Sequence, residues 1–444
     1  MNISPQRRIE ILNALRRGAV PPTGLDALAV GLEGFGDAVD RELEQAAAGH
    51  GIFKAVRGEY GAGKTFFVRW LEERARRQKF ATAEVQISET ETPLHRLETV
   101  YRAALERLRT ETSASGALPD IVDRWFFELE RDALRRSDVD DDDQAAVDDA
   151  ISELMEQRLG EITQSTPQFA AALRGYHKAR KERDFATAQG LLAWLGGQPH
   201  VGQAIKRKAD LKGEIDHFGA LNFLRGLLLL LDDAGYSGMV LVLDEVETLQ
   251  RVRSDVREKS LNALRQIIDY VDEGRFPGLY VVITGTPAFY DGPQGVQRAQ
   301  ALAQRLHVDF PEDSRFDNPR AVQIRLRGLD RGQLVELGKR VRDIFVEGAK
   351  CPERVAAKAD DAYIETLADA LAGKLGGEVR IAPRLFLKKL VANVLDTIDQ
   401  HPDFDPRKHY ELTVDKGEMT AEERHAAADH VDDIEIDLDG ADDE

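Results

Sequence analysis

The strongest chemical signal in the chain is the stretch Gly58-Glu59-Tyr60-Gly61-Ala62-Gly63-Lys64-Thr65. Its spacing is G-x-x-x-x-G-K-[ST], a pattern suited to cradling phosphate. Gly58, Gly61 and Gly63 permit backbone angles at which successive amide N–H groups face inward toward oxyanions. Lys64 is long enough to reach terminal phosphates, and Thr65 offers a hydroxyl to Mg²⁺. A helix that begins here directs the positive end of its dipole at the same anion. The expected nucleotide-binding set is Gly58, Glu59, Tyr60, Gly61, Ala62, Gly63, Lys64, Thr65 and Phe66. The expected ligands are ATP and Mg²⁺.

Further groups suit phosphate chemistry. Residues 239–243 (MVLVL) are an unbroken apolar run followed by Asp244-Glu245. That reads as a buried parallel strand ending in two carboxylates. Asp244 is expected to hold the water shell of the metal, and Glu245 to polarise an attacking water. The plainer alternative is a buried strand followed by a solvated turn. Residues 279–284 (LYVVIT) read as the next strand. Thr284 at its tip is the candidate donor to the γ-phosphate or the attacking water, with Thr286 second, although strand-end threonines also serve turns. Residues 299–306 read as a helix carrying Arg305 near its end. Arg384, in the first turn of the last predicted helix, is a candidate phosphate contact, and Arg380 is its alternative.

These residues need elements to position them. Residues 52–57 (IFKAVR) read as a strand entering the loop, and 65–77 as a helix with Phe67, Trp70 and Leu71 on its inner face. Residues 81–88 read as a second strand and 321–326 as a fifth. Between residues 93 and 236 the pattern turns helical, over 94–108, 121–134, 145–159, 167–181, 185–194 and 221–231. An insertion of this length in a strand–helix fold suggests partner specificity rather than chemistry. Helices predicted over 334–345, 361–371 and 383–395, with Gly376-Gly377 before the last, suggest a small lid. At the front, residues 5–17 form an amphipathic helix with Ile9, Leu12 and Leu15 on one side and Arg7, Arg8, Arg16 and Arg17 on the other, and a second helix covers 36–48. The implied divisions are 1–30, an N-terminal helix; 31–92 and 237–328, two parts of an α/β core; 93–236, the insertion; 329–400, the lid; and 401–444, a C-terminal segment. The fold class expected is α/β, a P-loop NTPase parallel sheet with a large helical insertion and a C-terminal helical lid.

Composition narrows the function. The 444 residues carry 60 Lys+Arg against 79 Asp+Glu, a net charge of −19, which argues against a generally basic nucleic-acid coat. Eight acidic residues lie in the last fourteen, where Ile434, Ile436 and Leu438 alternate with them. That composition reads as a disordered tail, or as a strand offered to a partner's sheet edge. A local basic region remains: Lys206-Arg207-Lys208 with Lys178, Arg180, Lys181 and Arg183 is a candidate DNA or partner contact, or else a charged helix surface. The N-terminal arginines carry the same two readings. The aspartate-rich stretch 138–149 lacks the glycine and glutamate an EF-hand needs, since Asp143 and Asp149 stand there, and reads as a solvated acidic loop. A single cysteine, Cys351, excludes an intramolecular disulfide. With no apolar signal segment and no run long enough to cross a membrane, a cytoplasmic protein is expected.

Taken together, the phosphate loop, the Asp244-Glu245 strand end and the Thr284 strand tip resemble the additional-strand P-loop ATPases of the AAA+ type. The resemblance covers roughly residues 33–88 and 237–398. It implies that the Asp-Glu strand is separated from the phosphate-loop strand by another strand. It also implies that Thr284 is the first sensor, Arg305 a finger acting on a neighbouring subunit's ATP, and Arg384 the second sensor. Residues 8–32 (RIEILNALRRGAVPPTGLDALAVGL), 53–67 (FKAVRGEYGAGKTFF) and 85–101 (VQISETETPLHRLETVY) are similar to the BrxD family of ATP-binding proteins of BREX phage-defence systems, as are 243–247 and 381–390. That similarity implies a cytoplasmic bacterial ATPase acting with a superfamily-two helicase against invading DNA.

The leading expectation is therefore an ATPase that works as a motor or switch. The alternative is an ATP-gated scaffold with negligible turnover, which the catalytic carboxylate Glu245 argues against. A kinase is a weaker third reading, resting on family analogy. If Arg305 acts in trans, a ring or an ATP-bridged homodimer is required; otherwise a monomer suffices.

Overall fold

The computed structural model describes residues 3–136, 144–374 and 383–413. The acidic tail, Gly376-Gly377, Arg380 and the first part of the aspartate-rich stretch lie outside the described residues. Residues 144–149 of that stretch are the first turns of a helix, as the helix expected over 145–159 requires and the acidic-loop reading of 138–149 does not.

In chain order the elements are α1 (Pro5–Arg16), α2 (Glu33–Ala47), β1 (Ile52–Gly58), α3 (Lys64–Arg77) and β2 (Phe80–Gln86). Seven helices follow: α4 (Leu97–Glu106), α5 (Leu118–Arg136), α6 (Gln144–Ser165), α7 (Pro167–Lys181), α8 (Phe185–Leu195), α9 (Gln203–Lys208) and α10 (His217–Asp233). Then come β3 (Gly238–Asp244), α11 (Ser254–Asp272), β4 (Leu279–Gly285), α12 (Pro287–Asp291), α13 (Gln300–Leu306) and β5 (Gln323–Leu326). The described chain closes with α14 (Arg331–Val346), α15 (Pro352–Lys358), α16 (Asp361–Lys374), α17 (Pro383–Lys388), a π-helical turn over Lys389–Leu395, α18 (Asp396–Gln400) and α19 (Pro406–His409).

The five expected strands form one sheet, in the order β2-β3-β4-β1-β5. The β2–β3, β3–β4 and β4–β1 pairs are parallel, so these four strands end on the same side. β4 stands between the phosphate-loop strand and the Asp-Glu strand. β3 and β4 are buried along their whole length, which explains why they read as uninterrupted apolar runs. β1 carries a buried polar residue, Lys54, 2% exposed, and a half-buried one, Arg57. The Lys54 ammonium has three donors, met by Glu42 at 2.5 Å and by the carbonyls of Pro319 and Ala321 at 3.1 and 3.0 Å. Burial lowers the Lys54 pKa, and Glu42 opposes that shift. At the other edge, β2 makes a single antiparallel bridge, Thr82 to Arg109, with the segment after α4.

The chain divides into two compact units. The larger comprises residues 36–57 and 71–324 and holds most of the sheet and the helices of the insertion. One hydrophobic core runs through it, from Val281 and Leu243 in the strands to Trp125, Phe169 and Trp194 in the insertion. The smaller comprises residues 1–35, 58–70 and 325–444. In its core α1 packs with the C-terminal helices, Ile11, Leu12 and Leu15 lying with Leu334, Phe386 and Val391. Arg16 pairs with Asp396 at 2.7 Å and Arg8 pairs with Glu347. The expected α1 face needs one correction: Ile9 is 59% exposed, and the buried stripe is Ile11, Leu12, Ala14 and Leu15. At 3.6 residues per turn, a position two before Ile11 lies on the far side of the helix.

Candidate functional site

The smaller unit carries the glycine loop. Gly61 and Gly63 have φ of +77° and +93°, a region open to glycine at little strain. At Gly58 the constraint is space, because a Cβ there would come within 3.1 Å of the Leu326 carbonyl and of Ala62 Cβ. Nothing lies within 4 Å of the position a Cβ would take on Gly63. Lys64 is buried and its Nζ donates to the carbonyls of Gly58 and Glu59 at 2.8 and 3.2 Å. The Tyr60 ring lies 5.1 Å from that ammonium. α3 begins at Lys64, and its Phe67 amide donates to Gly63 at 2.8 Å. Thr65 and Phe66 are half-buried in its first turn, Phe66 packing against the core of this unit. Phe67 and Trp70 are buried, as the periodicity requires. Glycine-relaxed angles, a helix N-terminus and a lysine within one turn form an anion-binding geometry.

The larger unit carries the carboxylates. Asp244, 6% exposed, ends β3, and Thr284, fully buried, stands near the end of β4. The Thr284 hydroxyl donates to Asp244 Oδ1 and accepts from the Glu245 amide at 3.1 Å. It thus locks the two strand ends together. Glu245 adopts φ +60° and ψ +43°, the left-handed region. For a residue with a Cβ this is strained by about 1–2 kcal/mol. The strain re-aims the side chain at the end of the strand, and the Gln86 amide donates to Glu245 Oε2 at 2.8 Å. The Thr248 hydroxyl holds the Glu245 carbonyl at 3.0 Å. Gln86 was not singled out in the sequence. An exposed glutamine at a strand end carries no signature, and only the β2–β3 register, Gln86 opposite Asp244, brings it there.

Residues 3–414 match the family described as BREX system ATP-binding protein BrxC/D. The chain belongs to that family. The match covers nearly the whole chain, and the family description carries ATP binding and a BREX system. No curated protein sequence matches the chain significantly. Among the described residues of this BrxC/D family member, no helix is long and apolar enough to cross a membrane.

Arg305, Arg384 and Thr286 are the remaining expected residues. Arg305, on α13, pairs with Asp269 of α11 at 2.5 Å and donates to the Ala301 carbonyl at 3.2 Å. Arg384 is the second residue of α17, with Nη1 3.4 Å from the position of a Cβ on Gly18. Thr286 is buried at the start of α12. The basic stretch of the insertion is less available than its composition suggests. Lys206 is 3% exposed and donates to the Gly213 carbonyl at 2.9 Å, and Lys208 pairs with Asp184 at 2.5 Å. Arg207 remains exposed.

Proposed function

We propose that this chain binds and hydrolyses ATP with the AAA+ type of P-loop machinery, on the BrxD side of its family. The family match supports ATP binding in BREX defence. The strand order, with β4 between the phosphate-loop strand and the Asp-Glu strand, supports the AAA+ reading. The similarity of residues 8–32, 53–67 and 85–101 favours BrxD, and with it a helicase partner.

The observation that carries hydrolysis rather than binding alone is Glu245. A strained backbone, held by Thr284 and Thr248 while Gln86 orients the carboxylate, is hard to explain for a residue that merely ends a strand. Loop amides of Gly58 to Thr65 and the Lys64 ammonium bind the β- and γ-phosphates. Glu245 accepts the proton of the attacking water. Thr65 and Asp244 supply a hydroxyl and a carboxylate, hard oxygen donors of the kind Mg²⁺ takes. When bound, Mg²⁺ neutralises charge on the phosphates. Thr284, its hydroxyl engaged with Asp244, positions the two carboxylates. Arg305 and Arg384 are the candidate finger and second sensor.

The test is phosphate release by the purified chain, wild type against Glu245→Gln, alone and with single-stranded or duplex DNA. Turnover that the substitution abolishes supports the reading, and stimulation by DNA adds a nucleic-acid role. ATP bound without turnover in every condition favours the ATP-gated scaffold instead.

A further inference from the structure

The larger unit contains a cavity of about 690 Å³ that the reading above does not use. It lies between the turn after β2 at Thr90–Thr92, the exposed side of α4, and the turn at Gly197-Gln198. Its volume falls within the range of small-molecule sites.

Several charged groups lining it have partners, although Glu98 Oε2 is buried without a hydrogen bond among the described residues. Arg96 pairs with Glu98 at 3.0 Å, Glu106 accepts from the Gln198 amide at 2.6 Å, and Glu214 accepts from the His200 amide at 3.4 Å. Arg107 donates to the Glu84 carbonyl at 3.4 Å. Arg102 is different. It is half-buried in the cavity wall, and it makes no hydrogen bond or ion pair among the described residues. A guanidinium stays charged and presents five N–H donors. Drawing it from water without an acceptor is unfavourable. Glu106, one turn along α4, would be the natural partner, yet it is engaged with Gln198. The start of α4 adds to the same wall, because Arg96 gives it no side-chain cap.

We propose that this cavity binds the phosphate group of a mononucleotide-sized ligand through Arg102, and that its occupancy is coupled to Glu245. The coupling runs through hydrogen bonds. Thr92, in the cavity wall, donates its hydroxyl to the Gln86 carbonyl, and the Ser88 hydroxyl accepts from the amides of Glu91 and Thr92 at 3.1 and 3.0 Å. Gln86 in turn holds Glu245. A turn that shifts on binding therefore shifts the group that orients the carboxylate. The coupling rests on the reading of Glu245 as the hydrolytic carboxylate, whereas the binding does not. The phosphate has two sources, a free nucleotide or the terminal phosphate of a nucleic-acid strand.

Binding is tested on the full chain carrying Lys64→Ala, which removes the affinity of the glycine loop. AMP and a 5′-phosphorylated trinucleotide are titrated calorimetrically. We expect saturable binding that Arg102→Ala weakens about tenfold or more, that Arg102→Lys weakens less, and that Arg315→Ala, at an exposed arginine paired with Asp313, leaves unchanged. Tighter binding of AMP assigns the site to free nucleotide, and tighter binding of the trinucleotide to a strand end. No saturable binding of either probe at millimolar concentration, or binding indifferent to Arg102→Ala while Arg102→Lys is folded by circular dichroism, overturns the site. Coupling is tested with Lys64 restored, by phosphate release at saturating ATP with and without the bound probe. A change of about twofold or more that Arg102→Ala removes supports it. Unchanged turnover with intact binding overturns the coupling and leaves the site standing. Absence of turnover in every arm overturns the coupling and the hydrolytic reading together, again without touching the binding result.

Discussion

A buried lysine in a glycine loop can be a structural prop or a phosphate ligand, and on the proposed function Lys64 exchanges the first role for the second. Its acceptors include two carbonyls of its own loop, which an anionic phosphate would outcompete by charge. Lys64→Ala is therefore expected to lose ATP binding, whereas Glu245→Gln binds ATP and fails to turn it over; equilibrium binding and phosphate release separate the two. Thr284→Val tests the clamp. Removing the buried hydroxyl takes one partner from Asp244 and one from the Glu245 amide, which keeps Asp244 Oδ1 at 3.2 Å. At about 1–3 kcal/mol for such a loss, turnover should fall roughly 10- to 100-fold while ATP affinity changes far less. Equal losses in kcat and affinity would instead mean that the loop itself had been disturbed.

Helix α3 links the loop chemistry to the edge of the sheet. It begins at Lys64 and, two turns later, buries Glu72 completely. Burial raises the Glu72 carboxyl to about 7, against the pull of Arg76 and Arg109. Its folded pKa thus lies above the ordinary value of 4.5. The unfolded chain releases this proton first as pH rises, so stability falls between about pH 4.5 and 7 and levels off above that. The loss amounts to a few kcal/mol at most. Unfolding by urea at pH 5, 6, 7 and 8 should show that slope in the wild type and lose it in Glu72→Gln. Elements of this kind were legible in the sequence where one force dominates. β3 and β4 could be read because both faces are buried, and α7 because Pro167 opens it and basic residues close it. Helices α9 and α15, of six and seven residues, were missed because pieces of under two turns hold too few apolar positions to fix a period. The π-helical turn at Lys389–Leu395 was missed because apolar residues on that segment fit an ordinary helix equally well. Gln86 and the burial of Lys206 depend on register and tertiary packing, which no local pattern carries.

Across the whole molecule the net charge of −19 sets the terms for nucleic acid. Lys206 is buried and Lys208 paired, whereas Lys178, Arg180, Arg183 and Arg207 of the basic stretch are exposed. Any retention of single-stranded DNA in a mobility-shift assay should fall tenfold or more between about 50 and 200 mM salt. The two hydrophobic cores make a further prediction. Ile11 is fully buried among the C-terminal helices, so Ile11→Ala should destabilise the smaller unit by about 2–4 kcal/mol, measured by denaturant unfolding. The glycine loop, a member of that unit, should weaken with it. A last consequence follows from the bridge between Thr82 and Arg109. A sheet with an open outer strand can recruit the matching strand of another molecule, and the process has no natural end. Here the segment leaving α4 lies across β2 at its middle and spends two of the strand's backbone hydrogen bonds on itself, at 2.9 and 2.8 Å. A bulky arginine sits where an incoming strand would need to lie flat. The insertion therefore does something for the sheet as well: it leaves the middle of β2 less open to strand addition by another copy.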